Sequence, residues 1–308
     1  MAETKISLNH YQFCVESVLA NPALSKQSRK FLRDLWYGDC FDVALTLACR
    51  AVNEARTRAM VLALLEVADS DPTAIHGPAK YRMLTTCPDL GVTMITGGSL
   101  NPVAVGAQYY QAMINKDMKL HGVNCLDVAL MHDFGIWQPD WVSLHSHAAV
   151  RSFGVDFKPK LAAKAACPKR SPQNRFGADV ANLSSRADKY KGLMRIAHLG
   201  RYVSKISCGT KYPVQGKDKP RTITSHQYWH CPEALRGLEV YSHLEPLNTM
   251  RGVGEGSALR SRIKELFQQF LQVERLPYGE QIDHAQLTAN WARLYDGLPL
   301  PYSAFLMA

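Results

Sequence analysis

Apolar residues recur at helical spacing along most of the N-terminal third of the chain. They follow a three-and-four repeat between Ser7, a favourable N-cap, and Pro22, and again between Ser25 and Gly38. A further stretch, rich in alanine and leucine, continues to about Val67. This pattern predicts a series of core helices.

The helical pattern weakens over residues 72–102. Segment 88–98 combines a turn sequence with a short apolar run, which favours one short buried strand. Beyond it, the spacing predicts one helix over residues 101–116 and another over residues 124–134.

The C-terminal part has the clearest helical pattern. A helix-like stretch covers residues 178–206, and the last helix is expected between Asp283 and Tyr295, ahead of Gly297. Between them, a broad apolar stripe at helical spacing is formed by Ile263, Leu266, Phe267, Phe270 and Leu271.

These patterns predict a mainly α fold, a helical core with a short β element around residues 205–230. The fold is α+β if segment 88–98 is also a strand. We divide the chain into a helical N-terminal domain (1–150), a basic segment that contacts nucleic acid (151–225) and a helical C-terminal region that packs on the core (226–308).

The positive charge of the chain is concentrated in the basic segment. The whole sequence has 36 Lys and Arg against 27 Asp and Glu, a net charge of +9. Residues 151–225 alone hold 17 basic and 4 acidic side chains, an excess of 13 that the flanking acidic residues are too few to neutralise. Cations interspersed with aromatic rings are typical of surfaces that bind phosphates and stack bases.

We therefore expect the cations of this segment to contact the phosphate backbone of a nucleic acid. The residues expected to do so are Lys158, Lys160, Lys164, Lys169, Arg170, Arg175, Arg186, Lys189, Lys191, Arg195, Arg201, Lys205, Lys211, Lys217, Lys219 and Arg221.

The sequence thus predicts a non-catalytic protein that binds DNA or RNA, as a subunit of a larger nucleoprotein or ribonucleoprotein complex, with no cofactor. One alternative is a metal-dependent nuclease or phosphoesterase. Another is a structural adaptor that binds an acidic protein partner. The pattern does not distinguish DNA from RNA, or single from double strands.

The nuclease alternative depends on His145 and His147, which follow an apolar run. Segment 141–147 resembles the element with which metal-dependent amidohydrolases and polymerase-and-histidinol-phosphatase-type phosphoesterases place two imidazoles at a strand end. The resemblance covers seven residues and implies a divalent ion that activates water. No later T-D-H-type element accompanies it, so we expect two partly exposed polar histidines without a metal.

Two other segments are weaker candidates. His226 and His230 belong to a strand-like segment, where four residues span about 13 Å, too far for both to bind one ion. The glycine-rich turn at residues 252–257 precedes a helix and can offer backbone N–H groups to a phosphate, although such turns usually only reverse the chain.

The chain is expected to be cytoplasmic, or enclosed in a virion. Its eight cysteines contain no C-x-x-C pair and are typical of buried thiols in a reducing compartment. Its most apolar run, residues 59–68, is too short to cross a bilayer, so no membrane partner is expected. The apolar tail, residues 298–308, is expected to dock on the body or on another subunit.

Overall fold

A computed structural model describes the fold in eleven parts of the chain. These parts are residues 12, 15–38, 46–86, 92–94, 100–131, 141–154, 190–206, 209–215, 220–225, 231–273 and 282–298. The fold is α+β, with helices packed on both faces of a mixed β-sheet. Segment 88–98 does contain a strand, which is the condition under which the sequence predicts this class.

Seven α-helices are described. They are α1 (Lys26–Tyr37), α2 (Arg50–Ser70), α3 (Leu100–Asp117), α4 (Gly192–Ser204), α5 (Cys231–Ser242), α6 (Gly256–Val273) and α7 (His284–Asp296). Residues 15–19 are also helical, and a 3-10 turn covers Pro72–Ala74. Ser25 caps α1 through its side chain and Gly38 ends α1 in the left-handed conformation, as the sequence predicts; Asp283 caps α7.

Seven strands form the sheet. They are β1 (Arg82–Thr86), β2 (Val92–Met94), β3 (His121–Met131), β4 (Trp141–Arg151), β5 (Gly209–Gln215), β6 (Pro220–Ser225) and β7 (Met250–Val253). The main order is β1-β4-β3-β5-β6, with β2 paired to β4 and β7 paired to β3. Only the β3–β5 pairing is parallel among these described strands. Strands β5 and β6 form the short β element predicted around residues 205–230.

The helix predicted over residues 124–134 is wrong, because residues 124–131 belong to strand β3, and residues 132–134 lie outside the described parts. The strand is central and is covered by helices on both sides, so apolar residues occupy both of its faces. A strand buried on both faces lacks the alternation that would identify it in the sequence. Helix α5 is a second element that the apolar spacing did not indicate. Of the helix predicted over residues 178–206, α4 is described, and residues 178–189 lie outside the described parts.

Alternate residues of β3 and β4 face two different core clusters. On the first face, residues such as Leu126, Val128 and Leu144 pack with helices α1, α3, α5 and α7. On the second face, Val123 and Ala149 pack with α2, α4 and α6. The second face is the one that carries the candidate site described below.

Buried arginines hold α4 against this second face. Arg56 of α2, fully buried, donates to the Thr249 hydroxyl at 2.9 Å and to the Ser204 carbonyl at 2.8 Å. Arg195 of α4 donates to the Tyr81 carbonyl beside β1. Hydrogen bonds from a charged donor to a buried carbonyl are expensive to break. The contact of Arg195 holds the first turn of α4 and that of Arg56 its last residue, so both ends of the helix are fixed over the sheet.

The glycine-rich turn at residues 252–257 has a packing role. A Cβ atom on Gly256 would lie 1.7 Å from the Gly122 carbonyl oxygen, and Gly254 has a φ of +57°. Only glycine permits this approach of the start of α6 to β3.

The apolar stripe of α6 is confirmed as core. Ile263, Leu266, Phe267 and Leu271 are buried, and Phe270 is half-buried. Among the described helices, none has the length and apolar character needed to cross a membrane.

Candidate metal centre

Three ionisable side chains meet on the central pair of strands. The register places Asp127 of β3 opposite His145 of β4, and Cys125 opposite His147. Side chains two residues apart on a strand lie on the same face. Asp127, His145 and His147 therefore share the face that α4 covers.

The donor atoms of this cluster converge on one carboxylate oxygen. The Nε2 atoms of His147 and His145 lie 3.0 Å and 3.5 Å from Oδ2 of Asp127, and one ligand atom from each of the three residues lies within 4.8 Å of the others. Two donors bonded to one ion at about 2.1 Å are themselves roughly 3.0–3.5 Å apart. The spacing of the cluster fits a single metal ion.

The three side chains are buried, so the expectation of partly exposed histidines is wrong. Asp127, His145 and His147 are 1%, 7% and 5% exposed. The H-x-H pair lies within an 11-residue strand instead of at its end, and helices cover both faces of the sheet at this point. A position in the interior of a sheet explains the burial.

The electrostatics favour the protonation states of metal ligands. Burial lowers the pKa of His147 to about 4, although the hydrogen bond to Asp127 opposes this shift. Burial raises the pKa of Asp127, but hydrogen bonds from His145 and His147 outweigh it and hold the pKa well below its usual value. A neutral imidazole and an ionised carboxylate, the forms that bind metals, are the stable forms at neutral pH.

A threonine on the neighbouring strand orients His147. Thr85 pairs with His147 in the β1–β4 register, and its hydroxyl oxygen lies 2.7 Å from Nδ1 of the imidazole. With Nδ1 engaged, Nε2 points to Asp127. Second partners of this kind commonly fix the ring orientation of metal-binding histidines.

A tyrosine from α4 and the lysine that directly follows this helix lie next to the cluster. The Tyr202 ring contacts the His147 ring edge-on, with 5.2 Å between centroids. The Lys205 ammonium lies 4.2 Å from the centroid of the Tyr202 ring. Both side chains are half-buried, so the cluster is bordered by a phenol and a cation that solvent still reaches.

The donor set suits a first-row transition ion better than magnesium. Imidazole nitrogens favour ions such as Fe²⁺, Co²⁺ and Zn²⁺, whereas Mg²⁺ prefers oxygen ligands; Mn²⁺ accepts both. Three protein ligands leave further coordination positions for water or a substrate oxygen.

The predicted phosphate contacts have varied environments. Lys191 is exposed at the N-terminus of α4, Arg201 and Lys205 are half-buried, and Arg195 is buried and bonded to the Tyr81 carbonyl. Strands β5 and β6 contain Lys211 and Arg221. The other predicted contacts lie outside the described residues, namely Lys158, Lys160, Lys164, Lys169, Arg170, Arg175, Arg186, Lys189, Lys217 and Lys219.

The other weaker candidates are also partly outside the described parts. His226, His230 and residues 299–308 of the apolar tail lie there. Among cysteines with described side chains, Cys49 and Cys125 are buried free thiols, as expected.

Sequence reasoning missed Asp127 and did not connect Tyr202 with the histidines. Asp127 belongs to the segment that was assigned to a helix. In the helix predicted over residues 178–206, the three-residue spacing of Tyr202 and Lys205 was an available signal, although Lys205 lies just past the end of α4.

No protein family, curated protein or solved structure was found to match this chain.

Proposed function

We propose that this protein is a metal-dependent enzyme that cleaves phosphodiester bonds in a nucleic acid. The observation that carries the proposal is the convergence of Asp127, His145 and His147 on one buried point, with Tyr202 beside it. The proposal keeps the nucleic-acid ligand expected from the sequence. It replaces the non-catalytic role with the nuclease alternative.

The metal would be held by Asp127 Oδ2 and the Nε2 atoms of His145 and His147. When bound, it supplies a Lewis acid that polarises a phosphoryl oxygen. The neutral imidazoles contribute no charge of their own, so Asp127 is the anionic ligand. Thr85 keeps the His147 ring in the orientation that this arrangement requires.

Tyr202 is the nucleophile in this proposal. Its phenol oxygen forms a bond to phosphorus, the P–O bond to one nucleotide breaks, and the leaving oxygen takes up the proton that the phenol releases. The products are a phosphotyrosyl ester and a free hydroxyl on the departing strand. Tyrosine is one of the side chains that form covalent intermediates of this kind. Attack by a strand hydroxyl group on the ester reverses the step and re-forms a phosphodiester, whereas attack by water leaves a phosphate monoester on the strand; in both cases the tyrosine takes up a proton and is freed.

Lys205 supports the same step electrostatically. Its ammonium group lies over the Tyr202 ring, so a phosphodiester attacked at this tyrosine lies next to a positive charge. The charge of residues 151–225 supports a polyanionic substrate, because an excess of 13 positive charges attracts phosphates over long distances.

The test is a cleavage assay with labelled oligonucleotides in the presence of Mn²⁺ or Mg²⁺. Single-stranded DNA, duplex DNA and RNA are compared, and the reaction is analysed for shortened product and for a protein–oligonucleotide adduct that survives denaturation. Wild type should give both. Tyr202→Phe should give neither, and Tyr37→Phe, a change at a tyrosine that is 40% exposed on α1, should behave as wild type.

Each result separates the alternatives. Cleavage without an adduct, at an unchanged rate in Tyr202→Phe, would assign the attack to water. If no metal and no substrate gives cleavage but the protein still binds oligonucleotides, the result would support the non-catalytic nucleic-acid-binding role. Absence of binding as well would favour the adaptor alternative.

A second candidate function follows from the donor set alone. Two histidines and one carboxylate also hold Fe²⁺ in non-haem oxygenases. This function requires an oxidisable organic substrate, and neither the adjacent Tyr202–Lys205 pair nor the charge of the chain favours it. Selective binding of Fe²⁺ with oxygen consumption and no phosphodiester cleavage would support it.

A further inference from the structure

A cleft of about 410 Å³ lies beside strand β7, away from the metal centre. Strand β7 pairs with β3, and among the described strands no other partner occupies its second side. The cleft therefore opens at an edge of the sheet, between helices α3 and α6. Its lining residues are Val105, Gln108, Asn248, Met250, Arg251, Gly252, Ser257, Arg260 and Ser261.

The chemistry of the cleft favours an anion. None of its nine described lining residues is acidic, and two are arginines. Arg260 donates to the carbonyls of Met250 and Leu247, so it supplies charge from a fixed position. The hydroxyls of Ser257 and Ser261 add polar groups. A phosphate matches this combination.

An exposed aromatic ring stands at the mouth of the cleft. Tyr109 of α3 is 54% exposed, and the Arg251 guanidinium lies 4.5 Å from the centre of its ring. One turn before and one turn after it, Val105 and Met113 are also exposed, at 39% and 52%. An exposed aromatic ring beside a cation is an arrangement on which single-stranded bases stack.

We propose that this cleft binds one nucleotide unit of a single-stranded nucleic acid, with the base on Tyr109 and the phosphate on Arg251. The inference rests on the proposed function only in that both take a nucleic acid as the ligand. Arg251 pairs with Asn124, three residues before Asp127 on β3, a separation of about 10 Å along the strand. Asn124 and Asp127 face opposite sides of the sheet, because successive residues of a strand alternate between its faces. A nucleic-acid strand bound in the cleft must therefore pass around the sheet edge at β7 to reach the metal centre.

The experiment measures binding apart from cleavage. Fluorescence anisotropy of a labelled oligothymidylate is recorded in EDTA, with wild type, Tyr109→Ala, Tyr109→Trp and Arg251→Ala. Loss of one base–aromatic stack should weaken binding roughly 5- to 100-fold in Tyr109→Ala, and Tyr109→Trp should retain it. Arg251→Ala should lower the slope of log affinity against log salt by about 0.7, the value for one phosphate of a single strand.

Matched controls come from a second cavity of about 240 Å³. It also contains a tyrosine and an arginine, Tyr37 and Arg50, but its lining includes the carboxylate of Glu54. Tyr37→Ala and Arg50→Ala should leave oligonucleotide affinity unchanged. Circular dichroism confirms that each variant is folded.

Three outcomes overturn the inference. The first is wild-type affinity in Tyr109→Ala, which would assign the exposed stripe to a protein partner. The second is an equal loss of affinity in the control variants. The third is that the wild-type protein does not bind the oligonucleotide. The outcomes also separate this inference from the proposed function. Tyr109-dependent binding without cleavage refutes only the enzyme, and cleavage with Tyr109-independent binding refutes only the cleft.

Discussion

His147, a buried residue of the candidate metal centre, makes the stability of the protein depend on pH in a defined window. The pKa of His147 in the folded protein is about 4 because burial disfavours the imidazolium, whereas an unfolded histidine titrates near 6.5. Between these two values the unfolded chain binds more protons than the folded one. The free energy of unfolding must therefore fall as the pH decreases from about 6.5 to about 4.

The size of this effect follows from the two pKa values. Relative to pH 7.5, the contribution of His147 lowers the free energy of unfolding by about 2 kcal/mol at pH 5 and about 3 kcal/mol at pH 4. Asp127 acts outside this window, since its depressed pKa means that its contribution is lost only as the pH falls below about 4. His243, whose pKa burial also lowers to about 4, adds a separate loss of the same sign.

Urea unfolding at pH 7.5, 6, 5 and 4.5 measures the effect, with His147→Gln as the test variant. The variant is less stable than wild type at pH 7.5, because the hydrogen bonds to Thr85 and Asp127 are disturbed. Between pH 7.5 and pH 5, the free energy of unfolding of the variant should nevertheless fall by about 2 kcal/mol less than that of wild type. His76→Gln, a change at an exposed histidine, should retain the wild-type pH dependence. Identical pH dependence in wild type and His147→Gln would refute the reasoning.

Three further predictions address the core, the orientation of the metal ligand and the basic segment. Phe267→Ala removes a fully buried ring and should lower the free energy of unfolding in urea by about 3–5 kcal/mol; an unchanged transition would contradict the assigned packing of α6. Thr85→Val removes the hydroxyl that contacts His147 and should weaken Mn²⁺ binding in titration calorimetry by about 10- to 100-fold, while Thr85→Ser stays near wild type. Reversal of Lys217 and Lys219 to Glu should weaken binding to all duplex sequences equally and lower the salt slope by about 0.9 per lost contact; salt-independent binding would argue against phosphate contacts by this segment.

Helices with a single buried face were predictable because their pattern is local. Helix α7 has Leu287, Trp291 and Leu294 on one face and an aspartate cap at its start, and all of these features lie within a short sequence window. Helix α6 is similar, with its buried residues at three- and four-residue intervals. The sequence of such a segment is enough to identify it as a helix.

Strand β3 and the metal centre were harder to predict because their determinants are distant in sequence. The burial of β3 depends on helices that pack from both sides, and its apolar run suits a helix as well as a strand. Asp127 becomes significant only through the register that places it opposite His145. Tyr202 reaches the same point from a helix that follows much later. The sequence contains these residues, but its local patterns do not show which of them lie together in the fold.

The burial of three ionisable groups is itself an argument for function. Moving an ionised carboxylate from water into a protein interior is costly, and apolar side chains in the same volume often give a more stable protein. Asp127 is almost completely buried, yet the packing around it is otherwise that of an ordinary core. Stability alone does not favour such a cluster at the centre of a sheet. Perturbed ionisable groups in this setting are typical of active sites, and the adjacent Tyr202 is half-exposed, so one side of the cluster lies close to solvent.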